Sequence, residues 1–273
     1  MIATNRFVQA GICLTLAGGA ASAQPVVLQV DQARSSVDIT ITLNTPIGNR
    51  TDQDSSPVTG FVYMGADDYA SPGSVVFYDA LFELSNTLNF AWSWGFGGFA
   101  DATLTGGGLS AAEPGVPAGP VPVVGGMFTT PDVLLQASGV ANTNYNIVLV
   151  GEDSIELDLR AAEPLPAALN GTISVVGGVI EVTSSASVTD TFVVIDGVVT
   201  ADVTTTATIV ATAPIPTCPA DVAAPFGALN FFDVSAFISA FVTQDPSGDF
   251  LVDGVFNFFD VSAYIASFSA GCP

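Results

Sequence analysis

The stretch "TISVVGGVIEVTSSASVTDTFVVIDGVVTADVTTTATIVA", Thr172 to Ala211, decides the fold. It is dense in Val, Thr and Ile, which suit a pleated, half-buried surface. Two turn signals break it, "VVGGVIEV" and "VVIDGVVTADV". Gly-Gly and Asp-Gly tolerate the positive φ that tight hairpin turns demand, so the segment predicts a meander of long antiparallel strands.

The same period of two extends back to Val26. "SVDITITL" (Ser36 to Leu43) places Val37, Ile39 and Ile41 on one face. "SIELDLR" (Ser154 to Arg160) turns Ile155, Leu157 and Leu159 inward and leaves Glu156, Asp158 and Arg160 on a solvated face. The Pro/Gly-rich "AAEPGVPAGPVPVVGG" (Ala111 to Gly126) reads as a long surface loop within one domain, or as a boundary between two smaller β units. "TAPIPTCP" (Thr212 to Pro219) reads as a stiff linker, because its prolines fix extended backbone. The expected fold is therefore mainly β. An antiparallel β-sandwich or barrel over residues 24–213 is followed by a small helical module over 214–273.

Residues 1–23 read as a secretory signal, with Arg6 as the positive start, "FVQAGICLTLAGGA" as the apolar run and "ASA" before Gln24 as the cleavage site. A secreted protein, at the cell surface or outside the cell, is expected. Removing the signal leaves three arginines (Arg34, Arg50, Arg160), no lysine and no histidine against 26 carboxylates. Such a surface repels nucleic acid and anionic membranes, which need clustered Lys or Arg, and suits divalent cations. No mature stretch has the uninterrupted apolar length of a membrane helix, so no membrane insertion is expected. The two remaining cysteines, Cys218 and Cys272, form an even pair in an oxidising compartment and predict a disulfide. It would close a loop of about 55 residues, worth roughly 3–4 kcal/mol on the loop-closure model.

The absence of histidine and lysine removes Ser-His and Cys-His nucleophiles, histidine-ligated metals, Schiff bases and P-loops. Carboxylate chemistry remains. Asp67, Asp68, Asp79, Glu83, Glu152, Asp153, Glu156 and Asp158 are candidates for the two facing carboxylates of a glycosidase, but each has a structural reading as turn or solvated edge. A non-enzyme is expected. In "NTLNFAWSWGFGGF" (Asn86 to Phe99), Phe90, Trp92, Trp94 and Phe96 share one face of a strand. Exposed, they would stack on sugar rings and make a polysaccharide a partner; buried, which aromatic stripes favour, they would form the thickest part of the core. A barrel enclosing an apolar ligand is a third reading; the opening "VDQARSSVDITI" (Val30 to Ile41) is faintly similar to lipid-binding barrels of the YceI type.

The end of the chain repeats itself. "GALNFFDVSAFISAF" (Gly227 to Phe241) returns 27 residues later as "GVFNFFDVSAYIASF" (Gly254 to Phe268). Each copy joins a loop ending in Asp to an amphipathic helix, with Val234, Ile238 and Phe241 in one and Val261, Ile265 and Phe268 in the other. In "DFLVDGVFNFFD", Asp249, Asp253, Asn257 and Asp260 occupy positions 1, 5, 9 and 12 of a calcium loop, with Gly254 at the turn. Leu251 stands where a ligand oxygen belongs, and the first copy, "DVAAPFGALNFFD", departs further. Calcium is the candidate cofactor, with the second loop the better match.

These residues carry a resemblance. The duplicated "NFFDVSA", the "DVAAPFG" variant, the opening "CPAD" and the terminal "AGCP" resemble the GC-type dockerin-like domain at the C-terminus of exported planctomycete-type bacterial proteins. The similarity covers residues 218–273. It implies an anchoring or sorting module built from two calcium-loop and helix repeats, with a cell-envelope or cohesin-like protein as partner through 214–273. The expected function is a structural or adhesive envelope protein held by this module, with a carbohydrate-binding or apolar-ligand-binding β domain as the alternative.

Overall fold

The computed structural model describes residues 25–224, 226 and 228–272; the expected signal segment, 1–23, lies outside them. The first strands are β1 (Val26–Val30), β2 (Ser36–Asn44), β3 (Arg50–Ala66), β4 (Ser74–Leu84), β5 (Leu88–Ser93) and β6 (Gly98–Ala111). After them come β7 (Ala118–Pro122), β8 (Met127–Ile147), β9 (Gly151–Asp158), β10 (Leu165–Val176), β11 (Val179–Ile195) and β12 (Val199–Pro214). Two helices close the chain, α1 (Phe231–Thr243) and α2 (Phe258–Ala270).

The deciding stretch forms the expected meander. Gly177 and Gly178, with φ of 62° and 78°, make the two-residue turn between β10 and β11. The second turn is one residue longer than a tight hairpin. Asp196 to Val198 form it, Gly197 supplies the positive φ, and the register shifts between Val193 and Ile195. β12 then pairs with β2 from Thr200↔Asn44 to Thr208↔Ser36, joining the two ends of the β domain.

The pairings run in a ring: β3, β2, β12, β11, β10, β8, β6, β4 and back to β3. β3 makes closure possible because it is long. Its first half, Arg50–Pro57, pairs with β2, and its second half, Val58–Ala66, pairs with β4. β1 fills the corner where β2 stops, pairing with both β3 and β12. The architecture is thus an antiparallel barrel rather than a two-sheet sandwich. Closure removes most sheet edges.

Alternation sets inside from outside. Ala201, Val203, Ala207 and Ile209 of β12 face inward, while Asp202, Thr204 and Thr206 form an outer ladder of hydrogen bonds to Thr191, Thr189 and Ser187. One apolar cluster, around Leu28, Met64, Val75, Phe128 and Ile180, fills one end of the barrel. A second, around Leu43, Leu88, Phe90, Trp92 and Ile147, fills the other.

Three local expectations change. The Pro/Gly-rich stretch is not all loop: Ala118–Pro122 is β7, which pairs with β4 and buries Val121. β7 ends the strand order, and an edge strand tolerates prolines because its outer N–H positions need no partner. The extended region also continues to Pro214, so the linker begins later than expected.

The third change concerns "SIELDLR". Among the described residues, β9 pairs only with β8, setting Leu157 against Ala141 and Ile155 against Thr143. Ile155 and Leu157 are nonetheless exposed. Among the described residues no second strand covers them, because β10 and β11 pair only over Gly171–Val176 and Val179–Ser184. Among the described residues, β11 from Ser185 to Ile195 has a ladder partner on one side only, β12. A lateral seam therefore opens between β9 and β10 on one bank and β11 on the other.

Candidate functional site

The C-terminal module is two copies of one local device. Asn230 caps α1 by accepting from Phe232 N at 2.7 Å, and Asp233 Oδ2 accepts from Asn230 N at 2.8 Å. Asn257 and Asp260 repeat both bonds on α2, each at 2.8 Å. This reciprocal capping satisfies helix N–H groups that have no partner within the helix. The other oxygen of each aspartate ties the preceding loop to the helix, accepting from Ala223 N at 2.9 Å and Leu251 N at 3.0 Å. Asp233 and Asp260 are fully buried.

The helices pack through Phe237 and Tyr264, whose rings stack with centroids 4.0 Å apart, and Phe250 meets both edge-on. The expected disulfide is present, joining Cys218 to Cys272 across 54 residues with Cα atoms 5.0 Å apart. Apolar residues left outside this small core are conspicuous. Phe231 and Phe232 are 77 and 62 % exposed, and their counterparts Phe258 and Phe259 are 76 and 65 % exposed.

Of the four residues expected to bind calcium, the structure brings three together. Asp249, Asp253 and Asp260 each offer an oxygen within 4.8 Å of the others. Asn257 instead uses its amide for the helix cap and for Val255 O. Burial pushes the Asp260 carboxyl above its ordinary range, and Asp249 and Asp253 push it the same way, against backbone hydrogen bonds that lower it. Three converging carboxylates, two of them fully buried, are a donor set that a hard divalent cation fits. Among the described residues, the first repeat assembles no such cluster of its own. Asp221 groups instead with Cys218 and Cys272, whose sulfurs are spent in the disulfide.

The second loop is also where the module meets the barrel. Val252 is buried against Val76 and Tyr78 on the outer face of β4. Tyr78 donates its hydroxyl to Asp249 Oδ2 at 2.8 Å, and burial, reinforced by Asp249, pushes the phenol pKa upward. A Cβ on Gly65 would stand 2.3 Å from Val252 Cγ1, so only glycine permits this approach. The signal for this contact was "SVVFYDA" (Ser74 to Ala80), where Val75 to Tyr78 are all buried and apolar without alternation. Such a run marks a strand covered on both faces.

Between the two apolar clusters of the barrel lies a cavity of about 850 Å³. Ile39, Val62, Phe77, Leu84, Phe128 and Val182 line it, drawn from both ends of the core. Ala167 and Leu169 of β10 and Ala186 and Val188 of β11 also line it, so both banks of the seam form its mouth. Its volume falls within the roughly 300–1,000 Å³ of small-molecule sites. A smaller cavity of about 290 Å³ lies toward the other end, under Leu157 and Phe192.

The aromatic stripe divides. Phe90 and Trp92 stack on each other in the core, and Trp94 is half-buried, donating its indole N–H to Gly48 O at 2.8 Å. β5 ends at Ser93, and Phe96 sits fully exposed in the 3-10 turn after it. Burial takes Phe90 and Trp92 out of any sugar-stacking face. The carboxylate candidates are likewise dispersed. Asp67 Oδ1 organises a turn by accepting from Gly73 N and Ser74 N, while Glu152, Asp153, Glu156 and Asp158 lie along exposed β9.

No family model and no curated protein matches the chain. Among solved structures it is similar to Ail, the attachment invasion locus protein of Yersinia pestis, determined in complex with the heparin analogue sucrose octasulfate. The likeness has 7% identity and a TM-score of 0.30 over 68% of this chain and 98% of that one.

The cavity and its mouth had no separate signal in the sequence. Inward apolar residues read alike whether they touch one another across a barrel or line a void.

Proposed function

We propose that this is an exported, non-enzymatic protein of the cell envelope, tethered through its C-terminal dockerin-like module. One observation carries the reading: the repeat spends its most apolar dipeptide, Phe-Phe, on solvent at the start of both helices. Exposed aromatic clusters of this kind mark interaction sites. Because docking to the barrel uses the second loop, the helix starts stay free for a cell-envelope or cohesin-like partner. Calcium in the second loop, held by Asp249, Asp253 and Asp260, would neutralise the buried carboxylates and stiffen that surface.

The outward Thr and Asp ladder and the apolar interior are the reverse of a membrane-spanning barrel, which supports a tethered rather than embedded protein. No helix among the described residues is long and apolar enough to cross a membrane.

Cell fractionation of the producing organism tests the reading. Full-length protein is expected to remain with the cells, and a full-length variant with Phe231, Phe232, Phe258 and Phe259 all changed to Ser is expected in the medium. Equal distribution of the two refutes tethering through this surface.

A second reading concerns the barrel. Its large apolar cavity favours binding of an apolar ligand over a purely structural role. Lipid or pigment extracted from purified protein would support it.

A further inference from the structure

Building on the ligand-binding reading of the barrel, we propose that the cavity takes an apolar molecule whose polar end donates hydrogen bonds, an alcohol or an amine. Carboxylates of the same size are rejected. The wall is mostly apolar, and its polar lining residues include Glu113 and Asp132, both exposed at its rim, with Ser184 and Thr205. Asp79 also borders it, but its ladder partner Tyr63 packs with Val252 on the outer face of β4. The two carboxylates at the rim make this polar fringe rich in acceptors.

Among the described residues, no Lys or Arg lines the cavity, and two of the arginines are committed elsewhere. Arg34 bridges Asp31 and Glu181 at 2.7 and 2.8 Å, and Arg50 donates to Ser93 O and Asn49 O. An anionic head drawn into the cavity would therefore lose its water without gaining a counter-charge, which is a heavy penalty. The net charge of −22 adds long-range repulsion of the same sign. A hydroxyl or ammonium reaching the fringe meets acceptors instead, while its apolar body displaces nothing polar from Ile39, Phe77, Phe128 and Val182.

Two dyes of one scaffold test the claim on the mature full chain. N-phenyl-1-naphthylamine is uncharged, and 8-anilinonaphthalene-1-sulfonate adds one sulfonate to the same rings. The neutral dye is expected to bind roughly tenfold or more tightly, the preference that an unpaired buried charge imposes. Hexadecanol and hexadecylamine should displace it, whereas hexadecanoate at the same concentration should not.

Salt separates the lining from the long-range field, because in ~1 M salt the Debye length falls to about 3 Å. A preference that vanishes there overturns the argument from the wall. Ala186→Trp and Ala167→Trp, one on each bank of the mouth, should each weaken neutral-dye binding, and Phe258→Ser in the exposed module should leave it unchanged. The reverse pattern places the dye on the module and overturns the assignment. Equal affinity for both dyes, lost in the mouth variants, refutes the alcohol-or-amine selectivity and leaves the ligand-binding reading standing. Failure of every probe and competitor to bind removes that reading together with the inference.

Discussion

Replacing Asp233 by Ala removes a carboxylate that holds the first repeat together. Its two oxygens accept from Asn230 N and Ala223 N, and the side chain is fully buried. Alanine leaves both N–H groups without that acceptor. A buried donor left unpaired costs about 1–3 kcal/mol, and the lower figure suits these two because they are only part-buried. Loss of the capping arrangement at the helix start adds a share of the same order, so the module should lose about 2–3 kcal/mol. Hydrogen exchange of the full chain, read by mass spectrometry on peptides from α1, measures this locally. Amide protection in α1 should fall roughly 30- to 150-fold, at tenfold per 1.4 kcal/mol. Peptides of β11 and β12 should not change, because the bonds of Asp233 run within the module, to Asn230 N and Ala223 N. A fall in α1 protection of less than about threefold, under about 0.7 kcal/mol, would refute the clasp as a determinant of the fold.

The same geometry sets three further outcomes. Changing Cys218 and Cys272 together to Ser frees a 54-residue separation and should destabilise the module by about 4 kcal/mol on the loop-closure model, with denaturation of the barrel unaffected; a loss shared equally by both regions argues against a local role. Millimolar calcium should raise exchange protection in the second loop and α2 but not at the start of α1, and Asp253→Ala should abolish the response; equal protection of both repeats, or none, refutes a site confined to Asp249, Asp253 and Asp260. Gly65→Ala should push the second loop off β4, since its Cβ would fall 2.3 Å from Val252 Cγ1, and the expected readout is a larger radius of gyration in small-angle scattering with faster proteolysis after Pro214; an unchanged radius refutes the contact.

The local content of the chain was legible without coordinates wherever one strand or one helix decides it. The meander from Thr172 to Ala211 comes from β-branched alternation and two glycine turns, and the repeated "NFFDVSA" from helical spacing after an Asp. The two cysteines outside the expected signal segment sufficed to anticipate their bond. Asn257 shows the limit of local reading. The same Asn-x-x-Asp spacing serves a calcium loop or a helix cap, and only the folded backbone brings Phe259 N to its side chain.

What the tertiary structure decided is what depends on who the neighbours are. Alternation states that a strand has two unlike faces, but it cannot say whether the apolar face is covered. Leu157 and Val182 read alike in the sequence, yet Val182 is buried where β11 has β10 beside it, while Leu157 is exposed where β9, among the described residues, has no second partner. Closure depends on the length of β3 and on the pairing of β2 with β12, contacts between residues more than 150 positions apart. The cavity and the seating of Val252 on β4 are consequences of that closure, because a void or a contact between distant segments has no period in the chain that forms it.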